Sequence, residues 1–193
     1  MNVRHLAWLA PFALAACSAE QPPSRPPLEG ARIGGSFALT DQNAKPFTDA
    51  ALAGKYRIMY FGYTFCPDVC PVDVQNIGAA MKLLEASDPA LAARIVPVFV
   101  TVDPARDTPP VLKQFVSAFH PRMIGLTGSD AEIARVAKEY GVYFKRGAGT
   151  ADGYMMDHSR QAYLMSPEGK PLALLPQEGP PQGIVDEIKR WAT

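Results

Sequence analysis

Cys66 and Cys70 stand four positions apart in "YFGYTFCPDVCPVD", residues 60–73, and each is followed by a proline. A cysteine pair in that spacing can exchange disulfides, hold a metal ion or close an inert disulfide. Redox pairs of the thioredoxin type use the tighter C-x2-C. A peroxidase site of the T-x-x-C kind fits less well, because Thr64 is only two positions before Cys66. Structural zinc sites need four ligands, often two cysteine pairs. Two thiolates with one imidazole make a soft, three-ligand set instead. Thiolate selects Cu(I), and imidazole also suits Cu(II). Copper fits the donor types best, and thiol redox chemistry and a plain disulfide stay open beside it.

The imidazole would come from His158, in "YMMDHSRQAYLM". A lone histidine is more often a surface or core residue than a ligand, but the other two fit worse. His5 lies in the leader. His120, in "SAFHPRM", follows a helix and is expected to face solvent. Asp103 closes "VPVFVTVD", where it can act beside the site or cap the turn "PARDT". Asp68 and Asp73 flank the cysteines as candidate turn and helix-start residues. Tyr154, Met155 and Met156 precede His158. The two thioethers are soft donors, although methionine more often fills a core.

These residues must be positioned by the elements around them. "GSFALTDQNAKPFT" reads as a hairpin. "YRIMYFGY" and "VPVFVTVD" are apolar runs suited to central strands buried on both faces. "VDVQNIGAAMKLLEA" spaces Val74, Ile77, Met81 and Leu84 as a helix does. Thr108 and Pro109 open a second helix, and Ser129 with Glu132 forms a capping box for a third, which ends at Gly141. A short strand lies between those two helices. "VYFKR", "QAYLMS" and "KPLALL" read as strands, and "PQGIVDEIKRWA" as a final helix. The order predicts an α/β fold: a mixed central sheet with helices on both faces and an N-terminal β-hairpin, best matched by the thioredoxin-like architecture.

That topology gathers the candidates. Parallel strands of a right-handed βαβ unit end at one sheet edge. Cys66 and Asp103 both follow such strand ends, at the carboxyl edge where open α/β sheets bind ligands. His158 precedes the strand over 161–165, whose start shares that edge if the strand runs antiparallel. Residues before proline avoid the α region, so "CPDVC" is expected to be a tight loop, with Pro71 in the first turn of the helix behind it. Thiols near a helix N-terminus favour the thiolate.

The chain has 193 residues, 48% of them hydrophobic, with 19 Lys+Arg against 19 Asp+Glu. One domain with a core is affordable, and no basic excess points to nucleic acid. Residues 1–16 pair Arg4 and His5 with an apolar run too short to span a bilayer, and read as a signal peptide. Its ending "LAAC" resembles a bacterial lipoprotein signal. That implies cleavage before Cys17, a lipid on Cys17, and a place in the bacterial cell envelope facing the periplasm. Residues 17–30 then form a lipidated, proline-rich tether, and 31–193 the folded domain. With Cys17 lipidated, Cys66 and Cys70 are the only free pair, able to oxidise or to hold a metal in an exported protein.

"FGYTFCPDVCPVD", "VTVDPARDTPPVLKQFVSAFHPRMIGLTGSDAEI" and "DHSRQAYLMSPEGK" together resemble the Sco/SenC family of copper proteins, over roughly residues 31–192. The resemblance implies a thioredoxin-like fold and copper, as Cu(I) or Cu(II), bound by Cys66, Cys70 and His158, with Asp103 at an acidic position near the site. It implies delivery of copper to the dinuclear copper centre of cytochrome c oxidase, or reduction of the cysteines there. The partners would be the copper-bearing oxidase subunit, other periplasmic copper chaperones and a thioredoxin-like reductant. A thiol–disulfide oxidoreductase acting through a Cys66–Cys70 couple is the alternative, so an enzymatic role stays open. Many members carry a transmembrane anchor, where this chain has the lipoprotein-like Cys17. A Cys17→Ser chain should take up no lipid label and stay uncleaved by the lipoprotein peptidase. Labelling equal to that of the parent would refute the anchor.

Overall fold

The computed structural model describes residues 25–150 and 153–192; the leader, Cys17 and most of the tether lie outside the described residues. Strands β1 (Ala38–Asp41) and β2 (Pro46–Thr48) form the expected hairpin. A single 3-10 turn leads into β3 (Tyr56–Gly62), a mostly apolar run buried at every position, Arg57 included. Helix α1 (Val69–Ser87) and the short α2 (Pro89–Ala92) cross to β4 (Ile95–Thr101), which runs parallel to β3 from Tyr56↔Ile95 to Gly62↔Thr101. Helix α3 (Pro109–Phe119) leads to β5 (Ile124–Thr127), parallel to β4, and α4 (Asp130–Glu139) follows.

After α4 come β6 (Phe144–Thr150), β7 (Gly153–His158), β8 (Ala162–Met165), β9 (Pro171–Leu175) and α5 (Pro181–Trp191). The sheet order is β2-β1-β5-β4-β3-β8-β9, with β8 antiparallel to β3. This is the mixed, thioredoxin-like sheet expected from the element order. Alternation along β3 divides the core. Ile58 and Tyr60 pack with Val74, Ile77, Met81 and Leu84 of α1, while Met59 and Phe61 pack with Ile133 and Val136 of α4. Helices α1, α3 and α5 share the first face.

The caps follow the sequence. Ser129 and Glu132 make a reciprocal capping box, and Gly141 takes the left-handed φ of +64° just past α4. Thr108 and Pro109 open α3, without a side-chain cap bond. At the other end of the described chain, the Leu28 N–H already donates to Leu172 O of β9. Among the described residues no helix is long and apolar enough to cross a membrane.

Three expectations need correction. Cys70 is not in a loop: α1 starts at Val69, two residues before Pro71. The first-turn amides of a helix have no intrahelical acceptor, so the N–H that Pro71 lacks costs nothing there. His120 is not solvent-facing but 1% exposed. Extended backbone at His120, ahead of Pro121, turns the ring inward. Its Nδ1 accepts the Arg122 N–H, and its Nε2 lies 3.3 Å from Glu85 Oε1, out of hydrogen-bond alignment. Burial lowers its pKa. Finally, "VYFKR" does not join the main sheet. Among the described residues, strand β6 pairs only with β7, in a separate two-stranded ribbon, and His158 is the last residue of β7.

Candidate metal centre

The register delivers both cysteines and the histidine to one edge. Gly62 and Thr101 end β3 and β4 side by side, and β8 begins opposite Tyr60 at Ala162. Cys66 follows β3 directly, Cys70 sits in the first turn of α1, and His158 ends the ribbon just before β8. Cys70 Sγ lies 3.1 Å from His158 Nε2, across 88 positions of sequence. His158 Nδ1 lies 2.8 Å from Ser159 O. A carbonyl only accepts, so Nδ1 carries the proton and the Nε2 lone pair faces the sulfur. The Cys70 N–H donates to Cys66 Sγ at 3.5 Å, so sulfur takes the capping role that the Asp68 side chain leaves empty.

The two thiols are unlike. Cys70 is buried and Cys66 partly exposed, and both are free thiols. Hydrogen bonding with Cys70 lowers the Cys66 pKa against the penalty of burial. The amides of Cys70, Asp68 and Val69 at the start of α1 add to this, as a helix N-terminus should. Cys70, paired with Cys66 and buried, is pushed up. Cys66 is therefore the more acidic of the two thiols. Gly62 is required by space rather than by φ: a Cβ there would stand 3.2 Å from Cys70 Sγ and 2.9 Å from Tyr60 Cε1. Among the described residues, no three metal-binding side chains are closed around a common point. The donors converge as two contacts that share Cys70.

Two aspartates hold this geometry, one expected only to start the helix and one not singled out in the sequence. Asp73, fully buried, accepts from Arg160 Nη2 at 2.9 Å, Arg160 Nε at 3.2 Å and Tyr60 Oη at 2.8 Å. It ties the helix of Cys70 to the segment two residues past His158. Asp107, also fully buried, accepts from the Thr64 N–H at 3.0 Å, the Thr64 hydroxyl at 2.6 Å and the Thr101 hydroxyl at 2.6 Å. It fixes the approach to Cys66, and burial raises its pKa. Its signal was an aspartate four positions past Asp103 at the carboxyl edge, in "DPARDT".

Asp103 shares the edge, but its carboxylate accepts from Tyr154 Oη at 2.7 Å and pairs with Arg106. Among the described residues no hydrogen bond joins it to Cys66, Cys70 or His158. It acts on the ribbon instead. The Arg106 and Arg146 guanidiniums stack on the Tyr154 ring at 3.7 and 3.6 Å, and Arg106 also lies over Phe65 at 4.9 Å. One arginine thus pins the His158 ribbon and the Cys66 loop together.

The SCO1/SenC family model matches residues 25–193. The chain belongs to the SCO1/SenC family. It is 42% identical over 159 residues to the mitochondrial SCO2 protein of Saccharomyces cerevisiae, an alignment covering 81% of this chain and 52% of that protein. It thus spans about half the length of that relative. Among solved structures, copper-bound ScoI of Arabidopsis thaliana superposes with a TM-score of 0.75 at 39% identity, covering 82% of this chain and 99% of that one. BsSco, a Sco-family cytochrome c oxidase assembly protein with a disulfide switch, gives 0.63 at 26% identity, covering 81% and 91%.

Asp107→Ala would strand the Thr64 N–H and two hydroxyls inside the protein. It should lower unfolding stability by about 3 kcal/mol, read by urea denaturation of the reduced protein. A loss within error of zero would show that the Thr64–Asp107 lock is dispensable.

Proposed function

We propose that this chain is a membrane-anchored copper metallochaperone that holds copper through Cys66, Cys70 and His158. It passes the ion to the copper-bearing subunit of cytochrome c oxidase or prepares that subunit's cysteines. The observation that carries this reading is the 3.1 Å contact between Cys70 Sγ and His158 Nε2, with the imidazole lone pair turned to the sulfur. Exchange between two thiols does not require a histidine, whereas a copper site uses one to complete a soft S,S,N donor set. The family's copper-bound members support the choice of metal. Copper is cargo here. Cys66, the more acidic thiol, gives up its proton to the ion more readily than buried Cys70, and His158 offers its Nε2.

The lipid on Cys17, the tether over 17–30 and the periplasm-facing envelope location belong to this reading, resting on the leader sequence. So do an upstream periplasmic copper chaperone and a thioredoxin-like reductant, since two close thiols can oxidise to a Cys66–Cys70 disulfide when metal is absent. A second reading, a thiol–disulfide oxidoreductase, is favoured by the depressed pKa of partly exposed Cys66 beside Cys70. A thiolate there is the attacking group such exchange needs.

His158→Ala separates the two. The variant should keep Cu(I) with affinity reduced on the order of a hundredfold, about 2.8 kcal/mol. It should lose the Cu(II)–thiolate absorption band and fail to support oxidase assembly in cells, while exchange with a small disulfide changes little. Parent-like spectra and full oxidase activity would reject the copper role of His158 and favour the oxidoreductase.

A further inference from the structure

Six methionines lie among the described residues. Met59, Met81, Met123, Met156 and Met165 are 9% exposed or less, as core fillers should be, and Met155 is 48% exposed. Exposure of one apolar side chain is ordinary; the aim of this sulfur is not. Met155 Sδ accepts a hydrogen bond from Tyr63 Oη at 3.7 Å. The ring of the same tyrosine meets the His158 ring edge-on at 5.8 Å between centroids. Tyr63, Cys66, Met155 and His158 line one cleft of about 310 Å³, which opens to solvent where Cys70 does not. Strand alternation sends the neighbouring Met156 into the core, so the pair "MM" supplies one packing sulfur and one sulfur at the mouth.

We propose that Met155 is an outer Cu(I) donor that carries the ion between the Cys66–Cys70–His158 site and its exchange partner, an inference that rests on the copper reading above. A neutral thioether matches Cu(I) in softness and takes up no proton. As the ion leaves, a Cu–Sδ bond forms while the Cu–Nε2 bond breaks. The Tyr63 hydroxyl gives up its contact with Sδ, and copper stays Cu(I) throughout. A weak neutral donor at the mouth keeps the ion three-coordinate while one ligand is replaced, which lowers the barrier to exchange and leaves the resting affinity to the thiolates.

The test compares the parent with Met155→Leu, which keeps the bulk and removes the sulfur. Both are labelled with [methyl-13C]methionine, titrated with Cu(I), and then challenged with a bidentate Cu(I) chelator. In the parent, the methyl resonance absent from Met155→Leu should shift or broaden with Cu(I), and the methyls of Met59, Met81, Met123 and Met165, outside the cleft, should not. Equilibrium affinities should agree within about threefold, while release to the chelator slows about tenfold in the variant. Cu(I) retained by both proteins, with the Met155 methyl unmoved and release rates equal, would overturn the relay and leave the metal site standing. A parent protein that takes up no Cu(I) in the titration would overturn both.

Discussion

The site depends on the bond between Asp73 and Arg160. Asp73 sits three residues past Cys70 on α1, and Arg160 two residues past His158, so this single pair sets the distance between two donors far apart in sequence. The guanidinium meets the carboxylate through two N–H groups, and Tyr60 supplies a third donor from the floor of the sheet. Such forked pairing fixes direction as well as distance. The Asp73 hydrogen bond raises the Arg160 pKa. A fully buried carboxylate that loses its cation costs about 3 kcal/mol. The pair therefore specifies one arrangement more than it adds net stability.

Two further ties complete the frame. Asp107 anchors the strand-to-loop passage that presents Cys66, and Asp103 with Arg106 anchors the ribbon that presents His158. All three aspartates are buried at one sheet edge, each facing its own donors rather than the thiols. The thiols are left to tune each other. Cys70 stabilises negative charge on Cys66, and the first turn of α1 adds its amides. The arrangement holds two thiols of unequal acidity and one imidazole beside a solvent-facing cleft.

Much of this was legible in the residues. The apolar runs of β3 and β4, the helical spacing through Leu84 and the capping box at Ser129 name the main elements. The βαβ rule then carries Cys66, Asp103 and the start of β8 to one edge. Contacts set by tertiary packing were not legible. Strand β7 hides because it opens on Gly153 and, among the described residues, pairs only with β6, itself interrupted by Gly147 and Gly149. His120 has the sequence context of a surface residue, and only the docking of α3 on α1 buries it. Asp73 reads locally as a helix-start residue, since its partner lies 87 positions away. Cys70 entered the helix because a proline two positions on is harmless within a first turn, a tolerance the proline rule alone obscures.

X-ray absorption at the copper edge of the Cu(I)-loaded protein, compared with Arg160→Ala, tests the central claim most directly. The account expects two sulfurs and one nitrogen around copper in the parent. In the variant it expects the nitrogen lost and both sulfurs kept, because only the His158 segment is released. Identical shells with one nitrogen in both proteins would show that the Asp73–Arg160 bond does not position the histidine. A parent shell without nitrogen would contradict the three-donor site itself.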